Sequence, residues 1–337
     1  MHPEQITSSC KHGKLACKLM ANCRYTPPQF QCTEVPNVRC IFCRQDSLSS
    51  RSVEHIMPES IGSKKRVLPA GVVCDKCNNY FARKVEGPIL DHPSMRNLRA
   101  WYQVPNKRGK SPALKGHIAG TDIAIGLRRG PAGKLQVETE RARDQQQLQD
   151  TLAAGLSNPL LFVIEMDPPK REMSRFLCKM ALEVVAEACS SREGDWEFIV
   201  DAEFYDNART YAREGTNFSE WPYSQRRIFP ERTLMRHPES GEWVQAGFGC
   251  CWFMNKRRET LFVFCFYGIE FVINVGGPSI RGYQEWLEDH GNISPMVERL
   301  GCRLVSEGEG RSQSHYLQGS FNSRHGLEFD RTHGYCP

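Results

Sequence analysis

Two short cysteine motifs constrain the fold of this 337-residue chain more than any other feature. Cys40 and Cys43 form one Cys-x-x-Cys pair, and Cys74 and Cys77 form a second. Two intervening residues allow both sulfur atoms of a pair to reach one ion from a tight turn, and two such pairs complete a tetrahedral shell of four thiolates. We therefore predict a zinc site. Because four thiolates leave no position for water, we predict that this zinc is structural.

The cysteine content also indicates a compartment. The chain has 15 cysteines, an odd number, and its first residues carry Glu4, Lys11 and Lys14 without the apolar stretch of a secretory signal peptide. This pattern favours reduced thiols in the cytoplasm over a disulfide framework. No apolar run approaches the roughly 18 residues that a membrane helix needs, so we expect no membrane partner.

The charge of the chain is unevenly distributed. The formal net charge is +5, yet residues 36–115 contain 15 Lys/Arg against 6 Asp/Glu, which leaves the remainder of the chain slightly acidic. A basic segment joined to an acidic remainder favours a module that binds a polyanion. The candidate phosphate contacts are Lys64, Lys65, Arg66, Arg83, Lys84, Arg96, Arg99, Lys107, Arg108 and Lys110.

The 30 residues between the cysteine pairs hold the candidate chemistry. Val53, Ile56 and Met57 predict a short strand before Pro58, and this strand carries the adjacent pair Glu54-His55. On a strand these two side chains would point to opposite faces, whereas at a strand end both could reach one site. A helix is predicted to start near Cys74 or Asp75, which places Asn78 on its first turns beside the zinc.

The order C-x2-C, E-H-I-x-P-x-S-x-G and C-x2-C-N-N-x-F over residues 40–90 resembles the HNH nucleases, specifically the zinc-stapled branch with the ββα-metal fold. This resemblance implies that His55 is the general base and that Glu54 is the acidic ligand of a catalytic metal, a position usually held by Asp. It implies that Asn78 is a further ligand, with Asn79 as an alternative shifted by one residue. The family's middle Asn would fall near Pro69, where this chain has Leu-Pro-Ala-Gly, so the bracing role is unassigned.

The resemblance implies a metal-dependent endonuclease that hydrolyses nucleic-acid phosphodiesters, with DNA as the first expectation. Oxygen ligands suit Mg²⁺ or Mn²⁺ better than zinc, so two metals with separate tasks are expected. RNA as substrate and a non-catalytic zinc module that binds nucleic acid or protein remain open alternatives. A homodimer would allow both DNA strands to be cut. The surrounding stretch through Lys110 also resembles bacterial HNH proteins.

The predicted fold class is α+β, with a ββα-metal module followed by a separate mixed α/β domain. The predicted organisation is a flexible leader (1–35), the nuclease module with its basic extension (36–118), a linker or charged helix (119–150), the mixed domain (151–305) and a disordered tail (306–337). Within the mixed domain we predict a helix over 171–189 and strands near 160–166, 196–205 and 261–275, with a turn at Tyr267-Gly268.

Overall fold

The structure is a computed structural model. It describes residues 38–64, 66–106, 108–129, 135–139, 141–154, 160–164, 167–190, 196–230, 233–236, 243–245, 247–300, 315–322 and 326–330. The predicted leader and the basic residues Lys65 and Lys107 lie outside these ranges.

The α-helices are α1 at Asp75–Phe81, α2 at Gly87–Asp91, α3 at Pro93–Trp101, α4 at Ala142–Ala153, α5 at Lys170–Ser190, α6 at Glu197–Asp201, α7 at Asp206–Glu214, α8 at Arg281–Asp289 and α9 at Pro295–Leu300. A π-helical turn at Ala82–Glu86 joins α1 to α2, and 3-10 helices lie at Glu59–Ile61 and Glu203–Tyr205. Within the described part of the chain, no helix has both the length and the apolar character needed to cross a membrane.

The strands are β1 at Glu54–His55, β2 at Val67–Leu68, β3 at Leu114–Ile118, β4 at Ala124–Arg129, β5 at Leu135–Thr139, β6 at Leu160–Ile164, β7 at Tyr223–Arg227, β8 at Leu234–Arg236, β9 at Trp243–Gln245, β10 at Phe248–Met254, β11 at Thr260–Phe266, β12 at Ile269–Asn274, β13 at His315–Asn322 and β14 at Gly326–Asp330. With these helices, they make an α+β fold, as predicted.

The described residues fall into two compact units. The first contains the described residues of 38–59, 63–88 and 169–300, and the second contains those of 60–62, 89–168 and 315–330. These units differ from the predicted domains, because residues 169–300 share a unit with both cysteine pairs. The physical reason is that helix α5 packs against the π-helical turn that continues α1.

Helix α5 is the centre of the first unit. Its apolar face is buried along its length and packs against α7 and against strands β10, β11 and β12. Phe176 on α5 meets Phe264 on β11 edge to face, with ring centroids 6.3 Å apart. The predicted helix over 171–189 is therefore confirmed, and it forms the contact between the zinc-binding segment and the sheet.

The sheet under α5 has four antiparallel strands in the order β10-β11-β12-β7. Every residue of β11 is buried, as expected for a central strand covered on both faces. Tyr267 and Gly268 both have positive φ, at 47° and 83°, which is the geometry of a two-residue hairpin turn. The predicted strands and turn over 261–275 are confirmed.

The second unit contains a six-stranded antiparallel sheet in the order β14-β13-β6-β3-β4-β5. Gly116 lets β3 approach β6, since a Cβ atom there would lie 2.3 Å from the carbonyl oxygen of Leu161. Two predictions differ from this arrangement. The segment 119–150, predicted to be a linker or charged helix, contains strands β4 and β5 as well as most of helix α4, and the tail predicted to be disordered contributes β13 and β14.

The prediction of a strand near 196–205 is also wrong, because the chain forms helix α6 and a 3-10 helix there. The cause is the ambiguity of a short apolar run, which does not distinguish a strand from a buried helical turn. Ile199 and Val200 are buried while the preceding Phe198 is 56% exposed. Burial of two adjacent residues does not follow the alternation of a strand with one solvent face.

Candidate metal centre and catalytic face

The four cysteines of the two motifs come together in the first unit. Their Sγ atoms all lie within 4.8 Å of one another, and the sulfurs of Cys43 and Cys74 are 3.6 Å apart. Zn–S bonds of about 2.3 Å in a tetrahedron would place sulfurs about 3.8 Å apart, so the cluster has the dimensions of a zinc site. No other group of three His, Cys, Asp or Glu side chains in the described residues is as close.

The electrostatics of the cluster favour a bound cation. A side-chain hydrogen bond from Cys77 lowers the pKa of the Cys40 thiol to about 5, and the same bond raises the pKa of Cys77. Burial raises the pKa of Cys74 to about 11. The raised pKa values show that four negative sulfurs at this spacing would repel one another, and a divalent ion would offset that repulsion and favour loss of the thiol protons. The backbone N–H groups of Cys74 and Cys77 also donate to sulfur atoms of the cluster.

Arginines brace the first cysteine loop. Arg209 of α7 is buried and donates from Nε to the carbonyl oxygen of Ile41, at 2.6 Å, and from Nη2 to that of Ile199. Arg44 forms an ion pair with Asp206 at the start of α7. The zinc-binding loop thus depends on helices more than 150 residues away in the chain, and cysteine spacing alone could not indicate this.

The strand that carries Glu54 and His55 separates their side chains. In the antiparallel pair β1–β2, Glu54 lies opposite Leu68, and both are buried. His55 lies opposite Val67, which is 40% exposed, and the His55 side chain is 26% exposed. Because successive side chains of a strand point to opposite faces, Glu54 enters the core while His55 faces outward.

Glu54 ends in a buried charge cluster. Its Oε1 lies 2.5 Å from Nζ of Lys179 on α5, which is also 2.7 Å from Oε1 of Glu86 and 3.0 Å from Oε2 of Glu183. Lys179 is fully buried, and its Nζ lies 3.4 Å from the backbone oxygen of His55. The structure therefore does not bring Glu54 to the predicted divalent-ion site, because Lys179 already acts as its counter-ion.

The pKa directions in this cluster follow from burial and charge. Burial raises the pKa of Glu54, and it raises that of Glu183 well above its usual range. Burial acts to lower the pKa of Lys179, but the surrounding carboxylates outweigh it, so this pKa is raised well above its usual value. The carboxyls of Glu54 and Glu183 therefore retain protons more readily than they would in water, and the Lys179 ammonium stays charged.

Glu59 is the carboxylate that accompanies His55. Its Oε1 lies 3.5 Å from Nε2 of the imidazole, and its side chain is 35% exposed. The imidazole's other nitrogen, Nδ1, is buried and has no hydrogen-bond partner among the described residues. Sequence reasoning missed Glu59 because it occupies a variable position between Pro58 and Ser60 in the recognised pattern.

Asn78 lies on the first turns of α1, as predicted. Its Nδ2 donates to the backbone oxygen of Val53, 3.3 Å away, next to β1. The side-chain oxygen Oδ1 is the atom that could bind a cation. Helix α1 begins at Asp75, in agreement with the start predicted near Cys74 or Asp75. The Cys74 sulfur caps the helix by accepting a hydrogen bond from the N–H of Cys77.

Other residues brace the loops around β1. Asp75 accepts hydrogen bonds from the backbone N–H groups of Arg51 and Ser52 and from the Ser52 hydroxyl. These bonds, with the Ser52 hydroxyl first, lower the pKa of Asp75. The buried Ser47 hydroxyl donates to the carbonyl oxygen of Gly71, at 2.6 Å. The loop before α1 is therefore held by side chains that the family pattern does not include.

The eight described residues among the predicted phosphate contacts differ in exposure. The exposed side chains are Lys64, Arg83, Lys84, Arg108 and Lys110. Arg66 instead pairs with Glu187 and donates to the sulfur of Cys250, and Arg99 is buried and donates to the oxygen of Leu90. Arg96 is half-buried. The guanidinium groups of Arg66 and Arg99 therefore have partners within the fold, whereas the exposed side chains are free of such burial.

Comparison with known proteins supports the resemblance. Residues 40–94 match the family model described as HNH endonuclease, and this segment contains the zinc cluster, His55 and Asn78. Searches of curated proteins and of solved structures found no match to this chain. The predicted resemblance is confirmed over the matched residues, while the remainder of the chain has no counterpart in these comparisons.

Proposed function

We propose that this protein is a metal-dependent HNH endonuclease that hydrolyses phosphodiester bonds of nucleic acid, with DNA as the substrate. The observation that carries the proposal is the family match over residues 40–94, which includes a four-cysteine cluster with zinc-site dimensions. The zinc would maintain the shape of the module. The reduced thiols of such a site fit a cytoplasmic location, which is part of the proposal.

In this proposal His55 accepts the proton of the attacking water. The imidazole is suited to that task because it is partly exposed and because a neutral imidazole has one ring nitrogen that can accept a proton. Oδ1 of Asn78 would hold a hard divalent ion, Mg²⁺ or Mn²⁺, together with water and substrate oxygens. Such an ion would neutralise charge on the scissile phosphate and on the leaving oxygen.

The sequence predicted Glu54 as a ligand of the catalytic metal, whereas we propose a structural role for it. Its carboxylate is buried and bound to Lys179, so it is not counted among the ligands of the divalent ion. It stabilises the strand from which His55 projects. The proposed site therefore binds its divalent ion with few protein ligands, a pattern that Mg²⁺ sites in phosphoryl-transfer enzymes tolerate because substrate oxygens complete the shell.

Exposed cations near the site would hold the phosphate backbone. In the first unit these are Lys64, Arg83 and Lys84. Contacts of this kind supply affinity and register without reading sequence, so we propose binding that weakens steeply with salt. Whether one or both DNA strands are cut would depend on the number of copies bound, and a homodimer would provide two sites.

Incubation of supercoiled plasmid with zinc-loaded protein tests the proposal. Cleavage is expected with Mg²⁺ or Mn²⁺ and should be lost when EDTA chelates the divalent ion. Asn78→Ala should raise the Mn²⁺ concentration needed for half-maximal cleavage, whereas Asn207→Ala, at an exposed position of α7, should leave it unchanged. A parallel RNA substrate decides between the two polymers. Absence of cleavage at every metal concentration would contradict the proposal.

One observation favours a second candidate, a zinc module that binds nucleic acid without cutting it. The burial of Glu54 against Lys179 removes one of the expected metal ligands, and a binding module needs none. This alternative predicts DNA binding in a gel-shift assay that is unaffected by His55→Ala and is accompanied by no strand cleavage.

A further inference from the structure

The carboxylate beside the imidazole of His55 comes from a position that the family pattern leaves variable. β1 ends at His55, and the next three residues, Ile56, Met57 and Pro58, are buried. Burial of these three residues fixes the path of the chain between His55 and Glu59, so that the Glu59 side chain lies on the same face as the His55 imidazole. The result is the 3.5 Å separation between Nε2 and Oε1.

Glu54 cannot be the carboxylate that faces the His55 imidazole, although it directly precedes His55 in the chain. The strand register directs Glu54 to the same face as Leu68, and Nζ of Lys179 lies 2.5 Å from its Oε1. The two glutamates thus have separate surroundings, one enclosed in the core and the other beside the imidazole at the surface.

We propose that Glu59 is a positioning residue for His55, and that it favours the tautomer in which Nε2 carries the proton. A neutral imidazole has one N–H donor and one acceptor nitrogen, and the partner of one nitrogen determines the state of the other. A carboxylate facing Nε2 stabilises the proton there. Nδ1 is then the nitrogen that accepts a proton.

The surroundings of Nδ1 agree with this assignment. It is buried and has no hydrogen-bond donor or acceptor within reach among the described residues. A nitrogen that carried a proton in that place would leave a buried donor unsatisfied, which is costly. For the proposed catalysis, a water molecule would have to reach this buried lone pair when substrate binds. This inference rests on the proposed function for its catalytic meaning, but the tautomer itself does not.

The decisive measurement is the ¹⁵N spectrum of the His55 ring at a pH where the imidazole is neutral, because protonated and unprotonated ring nitrogens have different chemical shifts. The intact protein is expected to show the proton on Nε2. Glu59→Lys places a donor where the acceptor was and should move the population towards the Nδ1 proton. Glu59→Gln keeps an acceptor oxygen and should retain most of the original state. Glu203→Gln, at an exposed glutamate of the same unit, should change nothing.

Kinetics supply the second readout. If the protein cleaves DNA, Glu59→Ala is expected to lower kcat about 10-fold or more with little change in KM, because general-base catalysis contributes roughly 10²- to 10⁴-fold and positioning accounts for part of it. Glu59→Gln should recover part of the loss. A raised Mn²⁺ requirement in Glu59→Ala would instead make Glu59 a metal ligand and overturn the proposal.

The two proposals can fail independently. If the intact protein shows no cleavage but the tautomer responds to Glu59→Lys, the positioning role holds and the nuclease function fails. If the ¹⁵N shifts of His55 are the same in the intact protein and in Glu59→Lys, with both proteins folded and zinc-loaded, the positioning role is refuted whatever the activity.

Discussion

Replacement of Lys179 by Met tests how the zinc-binding segment is joined to helix α5. The ammonium group is fully buried and lies 2.5, 2.7 and 3.0 Å from oxygens of Glu54, Glu86 and Glu183. Its removal leaves three carboxyls in the core without a cation. Loss of one partner from a buried pair typically costs about 3–5 kcal/mol, because the remaining charge must be buried unpaired or neutralised.

That cost corresponds to a fall in Tm of roughly 6–20 °C, because about 1 kcal/mol shifts Tm by about 2–4 °C in a protein unit of this size. Thermal unfolding of the zinc-loaded protein, followed by circular dichroism, measures it. The loss should be smaller at pH 5 than at pH 8, since protonation of the carboxyls removes the unpaired charges. Glu54→Gln added to Lys179→Met should recover part of the loss.

The matched control is Lys256→Met. Lys256 also pairs with a carboxylate, Asp289, at 2.8 Å, but its side chain is 85% exposed. Exposed pairs contribute little to stability, so this variant should melt with the intact protein. A Lys179→Met protein that melts within 2 °C of the control would refute the reasoning, because the buried cluster would then contribute no more than a surface pair.

Three further predictions concern other parts of the molecule. Burial raises the pKa of Glu183, so the folded state binds this proton more tightly than the unfolded state, and the contribution of Glu183 to stability diminishes as pH rises above the ordinary pKa of 4.5. Glu183→Gln should therefore flatten the decline of the unfolding free energy between pH 5 and pH 8. If urea titrations give the same decline with pH for the variant and the intact protein, this prediction is contradicted. Cys77→Ser should lose zinc, measured by elemental analysis, together with the folded state of the first unit, because structural zinc contributes to folding directly; a folded variant without zinc would count against a structural role. The double variant Arg83→Ala, Lys84→Ala should bind DNA more weakly, and the slope of log K against log[salt] should fall in magnitude by about 1 for each lost phosphate contact. Lys256→Met should leave that slope unchanged. Equal slopes for the double variant and the intact protein in filter-binding titrations would place the DNA elsewhere.

The features that could be predicted from the sequence are those that short segments determine. The cysteine spacing indicates the zinc cluster, and helical periodicity indicates α5. Gly268 indicates the hairpin turn between β11 and β12 because glycine adopts positive φ without steric cost, and Tyr267 and Gly268 both have positive φ in the structure. In each case the physical cause lies within a few residues of the signal.

The features that could not be predicted depend on distant partners. The direction of Glu54 is set by β2 and by Lys179, which is 125 residues away, and nothing in the Glu-His pair indicates either. Arg66 was expected at a phosphate because basic residues surround it, yet its guanidinium group pairs with Glu187 of α5. A local pattern shows which charged residues are present, but the partner of each depends on the tertiary fold.

The most direct test of the account is the single-turnover rate of DNA cleavage by His55→Ala, compared with that of the intact protein. Both proteins must carry equal zinc and have the same Tm, so that the comparison reports on the imidazole alone. The account predicts a rate at least 100-fold lower for the variant, the lower end of the contribution from a general base. Equal rates at saturating Mg²⁺ would contradict the assignment of His55 as the general base.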